Sequence, residues 1–234
     1  HIYNTTYKHP FRYEGNWMPV GMPDPRYGFL LYDEFLTFAP TGWTQVSSVV
    51  GTSSQNEFGQ LLLRQPTALA RALHTSPTNG IFLGVYDMYV EWLVETGVLA
   101  TGAEDYSLCA GINDAGAYVS GSLGVDSVAI CYNRGVNGNF WILNATDNSA
   151  PVSTNTSIAV AANTRYRLGI MYKTGAGAEY FINGVLAGAV AEADVPIGRG
   201  TQFQARVDKI LGNNNADLRV DSFMAWGFFN GPRF

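Results

Sequence analysis

The 234-residue sequence predicts an all-β sandwich. Ten or more short apolar or alternating runs follow one another at close spacing, with almost no helical periodicity between them. The connections are rich in Gly, Asn, Asp and Pro, the residues that make tight turns. Charged residues are only 14% of the chain, against about 25% in ordinary soluble proteins, while aromatics reach 13% and glycines number 26. That balance fits packed β-structure and excludes disorder, which needs low hydrophobicity with high net charge.

Residues 1–28 stand apart as an extended arm. Pro10, Pro19, Pro23 and Pro25 fix φ and remove backbone donors, which argues against a helix or a central strand. Tyr3, Tyr7, Phe11, Tyr13 and Trp17 carry too much apolar area for a solvated tail, so they are expected to lie on a surface as subunit-contact anchors.

The sandwich is expected over residues 29–234. Strand signals occupy 29–36, 43–50 and 60–64, with a polar turn region at 51–59. Residues 66–74 are rich in Ala and Leu, the one place where a helical turn competes. Strands follow at 86–95, 106–112, 117–120, 127–132 and 139–144. The stretch from Asn133 to Gly138 reads as a loop of positive-φ residues. In 164–172, Tyr166, Leu168, Ile170 and Tyr172 alternate onto one face. Strand 178–182 runs into Asn183-Gly184, a strong signal for a type I′ hairpin, and 185–190 returns. Strands at 202–209 and 218–226 complete the domain.

Net charge is -5 and no basic run occurs, so a nucleic-acid partner is not expected. No apolar stretch approaches the ~20 residues of a membrane-spanning helix. Cys109 and Cys131 read first as buried reduced thiols, with a cross-strand disulfide as the alternative. Two Cys and the scattered His1, His9 and His74 are too few for a zinc site. A copper brace at His1 would need a free amino terminus and a second His on the same face. No metal or cofactor is expected.

The segments Ala178-Glu-Tyr-Phe-Ile-Asn183-Gly184-Val185 and Asp217-Leu-Arg-Val-Asp-Ser-Phe223, with the opening Tyr32-Asp-Glu-Phe-Leu36, resemble concanavalin A-like (laminin G-like) jelly rolls. The resemblance covers about residues 29–230 and implies a jelly-roll β-sandwich. Together, the aromatic arm and the low charge resemble domains of tailed-phage and related virion proteins. That resemblance implies a non-enzymatic structural role in capsid decoration, a head fibre or a tail component. It also implies a homo-oligomer whose partners are self or other virion subunits, located in the virion. Fold alone assigns no function. A carbohydrate-binding, lectin-like module is the alternative, with an extracellular location, and a polysaccharide-active enzyme is the second alternative.

The chemistry of each alternative leaves residues to weigh. Hydrolysis on this fold needs two carboxylates close across a sugar cleft, usually as Glu-x-Asp-x-x-Glu, and no such motif occurs. Glu91 and Glu95 share a strand face but sit about 13 Å apart by strand rise, too far for either mechanism. They are expected as solvent-facing charges. Gln204-Ala-Arg206 and Tyr172-Lys173 are only fragments of an alginate-lyase pattern. No catalytic residue is therefore assigned. For sugar binding the candidates are Asn137, Asn139, Trp141 and Asn144, which supply amide groups and one aromatic. Asp105, Asp114, Asp126 and Asp147 would bind calcium only if they converged.

Overall fold

The computed structural model describes the backbone of residues 2–4, 9–13, 17–19, 28–33, 44–47, 52–54, 60–66, 70–75, 81–114, 125–148 and 150–229, and side chains at Leu31, 60–66, 81–114, 125–135, 138–148 and 150–227. Within the N-terminal segment, β1 (Ile2–Asn4), β2 (His9–Tyr13) and β3 (Trp17–Pro19) pair antiparallel as a small sheet of their own. The side chains of Tyr3, Phe11, Tyr13 and Trp17, and all of Tyr7, lie outside the described residues.

The remaining strands form two antiparallel sheets. In chain order they are β4 (Gly28–Asp33), β5 (Thr44–Ser47), β6 (Thr52–Ser54), β7 (Leu61–Gln65), β8 (Ala70–Thr75), β9 (Tyr86–Thr96), β10 (Tyr106–Asp114) and β11 (Ser127–Asn133). The helical turn α1 (Arg134–Asn137) follows. Then come β12 (Phe140–Asp147), β13 (Ala150–Ala159), β14 (Arg165–Lys173), β15 (Gly177–Ile182), β16 (Val185–Val190), β17 (Thr201–Lys209) and β18 (Ala216–Phe229). One sheet runs β13-β12-β11-β10-β17-β8-β5. The other runs β16-β15-β14-β9-β18-β7-β6, with β4 added on β18.

This is the expected jelly-roll sandwich. Period-two alternation sends Val90, Trp92 and Val94 of β9, and Tyr166, Leu168, Ile170 and Tyr172 of β14, into the interior. Leu108, Ala110 and Ile112 of β10 meet them from the other sheet. Aromatic pairs tie the layers together: Phe203 on β17 lies 5.0 Å from Phe223 on β18, and Trp141 on β12 meets Tyr166 edge-on at 5.1 Å. The Tyr180 hydroxyl crosses the core to donate to the Asn144 carbonyl at 2.8 Å, and burial pushes its pKa far up.

The Asn183-Gly184 turn forms as expected, with φ of 54° and 78°. The Asn183 side chain also accepts the Arg167 amide at 2.9 Å, which locks the turn onto β14.

Four local expectations change. Residues 70–75 form strand β8 rather than a helical turn, because β17 and β5 recruit them on both sides. The only α-helical turn among the described residues is α1, where a loop was expected. Residues 52–54 pair with β7, although their polar sequence read as a turn. Strand β13, whose Thr, Ser and Asn residues carry little apolar signal, pairs along β12 at the edge of its sheet. The strand expected at 117–120 lies outside the described residues.

A bulge corrects β18. Val220 and Phe223 are three residues apart, so a regular strand would turn them to opposite faces. The register against β9 shifts between Val220 and Ser222, and both side chains reach the core.

The cysteines are also corrected. Cys109 and Cys131 are directly opposed on β10 and β11, with Cα atoms 4.2 Å apart, and they form a disulfide rather than free thiols. Directly opposed residues of an antiparallel pair come this close where the backbone does not bond between them.

Candidate functional site

The register of the seven-stranded sheet places its outward side chains in rows. Residues paired directly across an antiparallel ladder share a face. One row reads Gln202, Asn113, Ser127, Thr146 across β17, β10, β11 and β12. The next reads Gln204, Gly111, Ala129, Asn144, Ser153, ending on β13. A third reads Arg206, Cys109, Cys131, Ile142, Asn155. Asp208 and Ser107 begin the fourth. The face is thus dominated by uncharged amides and hydroxyls, interrupted by the disulfide.

Much of this face is screened from solvent. All of β17 is buried, and eight of the nine residues of β10 are buried too. Buried polar groups need partners, and several have them. Gln204 donates to the Asp114 carbonyl at 3.1 Å. Arg206 pairs with Asp208 at 3.2 Å, and its guanidinium reaches the Cys109 sulfur at 3.9 Å. Asn144 accepts the Ser153 hydroxyl.

The sequence candidates for sugar binding do not converge. Asn144 lies on the outward face, in the second row. Asn139 is exposed beyond the end of β12, and its side chain accepts the Tyr132 hydroxyl at 3.0 Å. Burial raises the Tyr132 pKa, keeping it a donor over the physiological range. Asn137 closes α1, and its side chain is outside the described residues. Trp141 is sealed in the core at 1% exposure, so it offers no stacking surface to a sugar. Its inward position follows from alternation with Ile142 on β12, a phase the sequence alone leaves open.

Sequence reasoning missed Asn113, Ser127 and Thr146. Each sits inside or beside an ordinary strand signal, and only the cross-strand register aligns them.

The acidic candidates fall into structural roles. Glu91 is buried at 3% exposure rather than solvent-facing. It accepts hydrogen bonds from Nε and Nη2 of Arg167 and from the Tyr89 hydroxyl, at 2.7–3.1 Å. Glu95 pairs with Arg165 at 3.2 Å and Arg219 at 2.5 Å. Both lie on the outward face of the eight-stranded sheet, each clamped between strands. Asp126 and Asp147 converge, but on Arg199, at 3.2 and 3.1 Å. Among the described residues, no group of three or more His, Cys, Asp or Glu is placed to hold a metal ion.

No protein-family profile and no curated protein sequence matches the chain. Solved structures do match. An endo-1,3-β-glucanase from Streptomyces sioyaensis aligns at TM-score 0.63 and 11% identity, over 89% of this chain and 99% of that one. Arcelin-5, a lectin-like defence protein from Phaseolus vulgaris, aligns at 0.62 and 13%, over 87% and 99%. The Emp46p carbohydrate recognition domain aligns at 0.58 and 10%, over 81% and 89%.

The fold is that of concanavalin A-like lectins and glucanases.

At these identities the likeness concerns the fold alone. Within the concanavalin A-like frame, hydrolysis requires a carboxylate pair about 5–9.5 Å apart. The outward face of the seven-stranded sheet holds one carboxylate among the described residues, Asp208, and it is engaged by Arg206. Among the described residues this face is a buried array of neutral hydrogen-bonding groups, with no acid and base placed across from each other.

Proposed function

We propose that this chain is a non-enzymatic, carbohydrate-binding, lectin-like module. The observation that carries the reading is the outward face of the seven-stranded sheet. Gln202, Gln204, Asn113, Ser127, Thr146 and Asn144 line it with neutral donors and acceptors on four neighbouring strands, each buried at 9% exposure or less, so a ligand would reach them only where the covering segments part. Such groups recognise hydroxyl-rich ligands and supply no general acid or base. The lectins and carbohydrate recognition domain among the matched structures support the same reading. The virion structural role, the leading expectation from the sequence, finds no support among those matches.

The disulfide supports an extracellular or otherwise oxidising location, since glutathione and thioredoxin keep cytosolic thiols reduced.

The test uses the full chain on an array of neutral and acidic oligosaccharides, alongside a reducing-sugar assay on 1,3-β-glucan. Retention of defined glycans with no sugar release is the expected result. Release of sugar that disappears in Glu91→Gln or Asp208→Asn would replace the module reading with an enzymatic one. Absence of any glycan binding would remove it.

A further inference from the structure

The outward face of the eight-stranded sheet carries a strip of rings and thioethers that the core does not use. Tyr89 on β9 and Trp226 on β18 are directly opposed across the ladder. Their ring centroids lie 5.6 Å apart, with the planes tilted by 35°. Met171 on β14 pairs with Tyr89 from the other side, and Phe181 on β15 stands opposite Gly169 on β14. Chain neighbours such as Val90, Ala225, Ile170 and Tyr180 fill the core, so these four side chains face away from it. All four are half-buried, unlike the sealed Trp141. From Phe181 to Trp226 the strip crosses three strand spacings, about 14 Å.

The Tyr89 ring is held down on the sheet. Its hydroxyl donates to Glu91 at 2.7 Å, and Arg167 clamps Glu91 in turn. A Cβ on Gly169 would lie 2.6 Å from the Tyr89 hydroxyl oxygen and 3.1–3.2 Å from two ring carbons. The end of the ring therefore lies across β14, in the space that a side chain at 169 would fill. A surface ordered in advance spares a ligand the cost of ordering it.

Ion pairs border the strip. Arg167 meets Glu91 and Lys173 meets Glu179, each at 2.8 Å. Asp87, on the same face as Tyr89, accepts the Thr174 amide at 2.8 Å. Among the described residues each cation beside the rings is already paired, so an acidic ligand finds no spare counter-charge. A pyranose carries C–H groups on its faces and hydroxyls at its edge, which suits aromatic rings bordered by paired charges. A strip that crosses several strands suits a row of linked sugars better than a single one, which needs enclosure to bind.

We propose that Tyr89 and Trp226 form a stacking platform for a neutral, extended glycan chain, continued by Met171 and Phe181. The inference rests on the carbohydrate-binding reading and adds a contact surface on the eight-stranded sheet.

The experiment measures the binding of laminarihexaose, cellohexaose and their disaccharides to the full chain by calorimetry, with hexagalacturonate as the acidic probe. Wild type is compared with Trp226→Leu, Trp226→Phe and Gly169→Ala, and each variant's urea midpoint is recorded. We expect a neutral hexasaccharide to bind more tightly than its disaccharide, and hexagalacturonate not to bind. Trp226→Leu should weaken that binding by about tenfold or more, while Trp226→Phe keeps a ring and most of the affinity. Gly169→Ala removes no ring but lifts Tyr89 off β14, and should weaken binding by about threefold or more at an unchanged midpoint. Position 169 has no positive φ, so the backbone accepts alanine.

Unaltered hexasaccharide affinity in Trp226→Leu and Gly169→Ala overturns the platform and leaves the module reading intact. Should Trp226→Leu fail to fold, unaltered affinity in Gly169→Ala overturns it alone. Equal affinity for disaccharide and hexasaccharide overturns the extended ligand, and preference for hexagalacturonate overturns the neutral one. Failure of every sugar to bind removes both readings. A dimer in light scattering that Trp226→Leu dissociates, with sugar affinity unaltered, gives the face to a second copy instead.

Discussion

Trp141 shows how a side chain's role depends on which way its strand faces. In sequence it sits among Asn residues, in a setting that suits a sugar-stacking aromatic. In the structure it fills the space between the sheets against Tyr166. Trp141→Ala should therefore act on stability, costing about 3–5 kcal/mol, as large aromatic truncations do. Urea unfolding measures that cost. Trp141→Phe should cost less, because the indole N–H has no partner to lose. If Trp141→Ala instead removed glycan binding at unchanged stability, the core assignment would be wrong. Glu91 carries a related lesson. A carboxylate on an outward face can still be buried, and here it needs Arg167 and Tyr89 to offset its desolvation.

At the level of strands, the disulfide between β10 and β11 has a measurable consequence. The cysteines are 22 residues apart, and the loop they close should contribute about 3 kcal/mol by restricting the unfolded chain. Reduction, or Cys109→Ser/Cys131→Ser, should lower the thermal midpoint by about 6–12 °C at the usual 2–4 °C per kcal/mol for this size. Equal midpoints with and without reductant would mean that the covalent bond adds nothing to the ladder around it. The bond could not be decided from sequence because it depends on register: one residue of slip would place Cys131 on the other face of the sheet. The same dependence hid β8 and β13. Their partners, rather than their own alternation, make them strands.

For the molecule as a whole, the small N-terminal sheet raises a question of domain organisation. Among the described residues, strands β1–β3 pair only with one another. The described strands of the two large sheets pair with one another without them. Deleting residues 1–27 should leave a cooperatively folded sandwich with nearly the same denaturant midpoint and the same glycan binding. Light scattering on both forms gives the oligomeric state. Loss of an assembly on deletion, with no glycan bound by either form, would return the virion reading to first place.

The sequence determined the class of fold, most of the strands and the Asn183-Gly184 hairpin, because alternation and turn chemistry are local and survive in one dimension. It also excluded a carboxylate-pair motif, since that pattern is confined to a single strand. Tertiary structure decided the rest. Phase turned Trp141 inward, a bulge brought Val220 and Phe223 to the same core, and register joined Cys109 to Cys131. Register also set Asn113, Ser127 and Thr146 side by side from positions as much as 33 residues apart. A site built across strands has no spacing of its own in the chain, because the loops between strands vary while the ladder fixes the alignment.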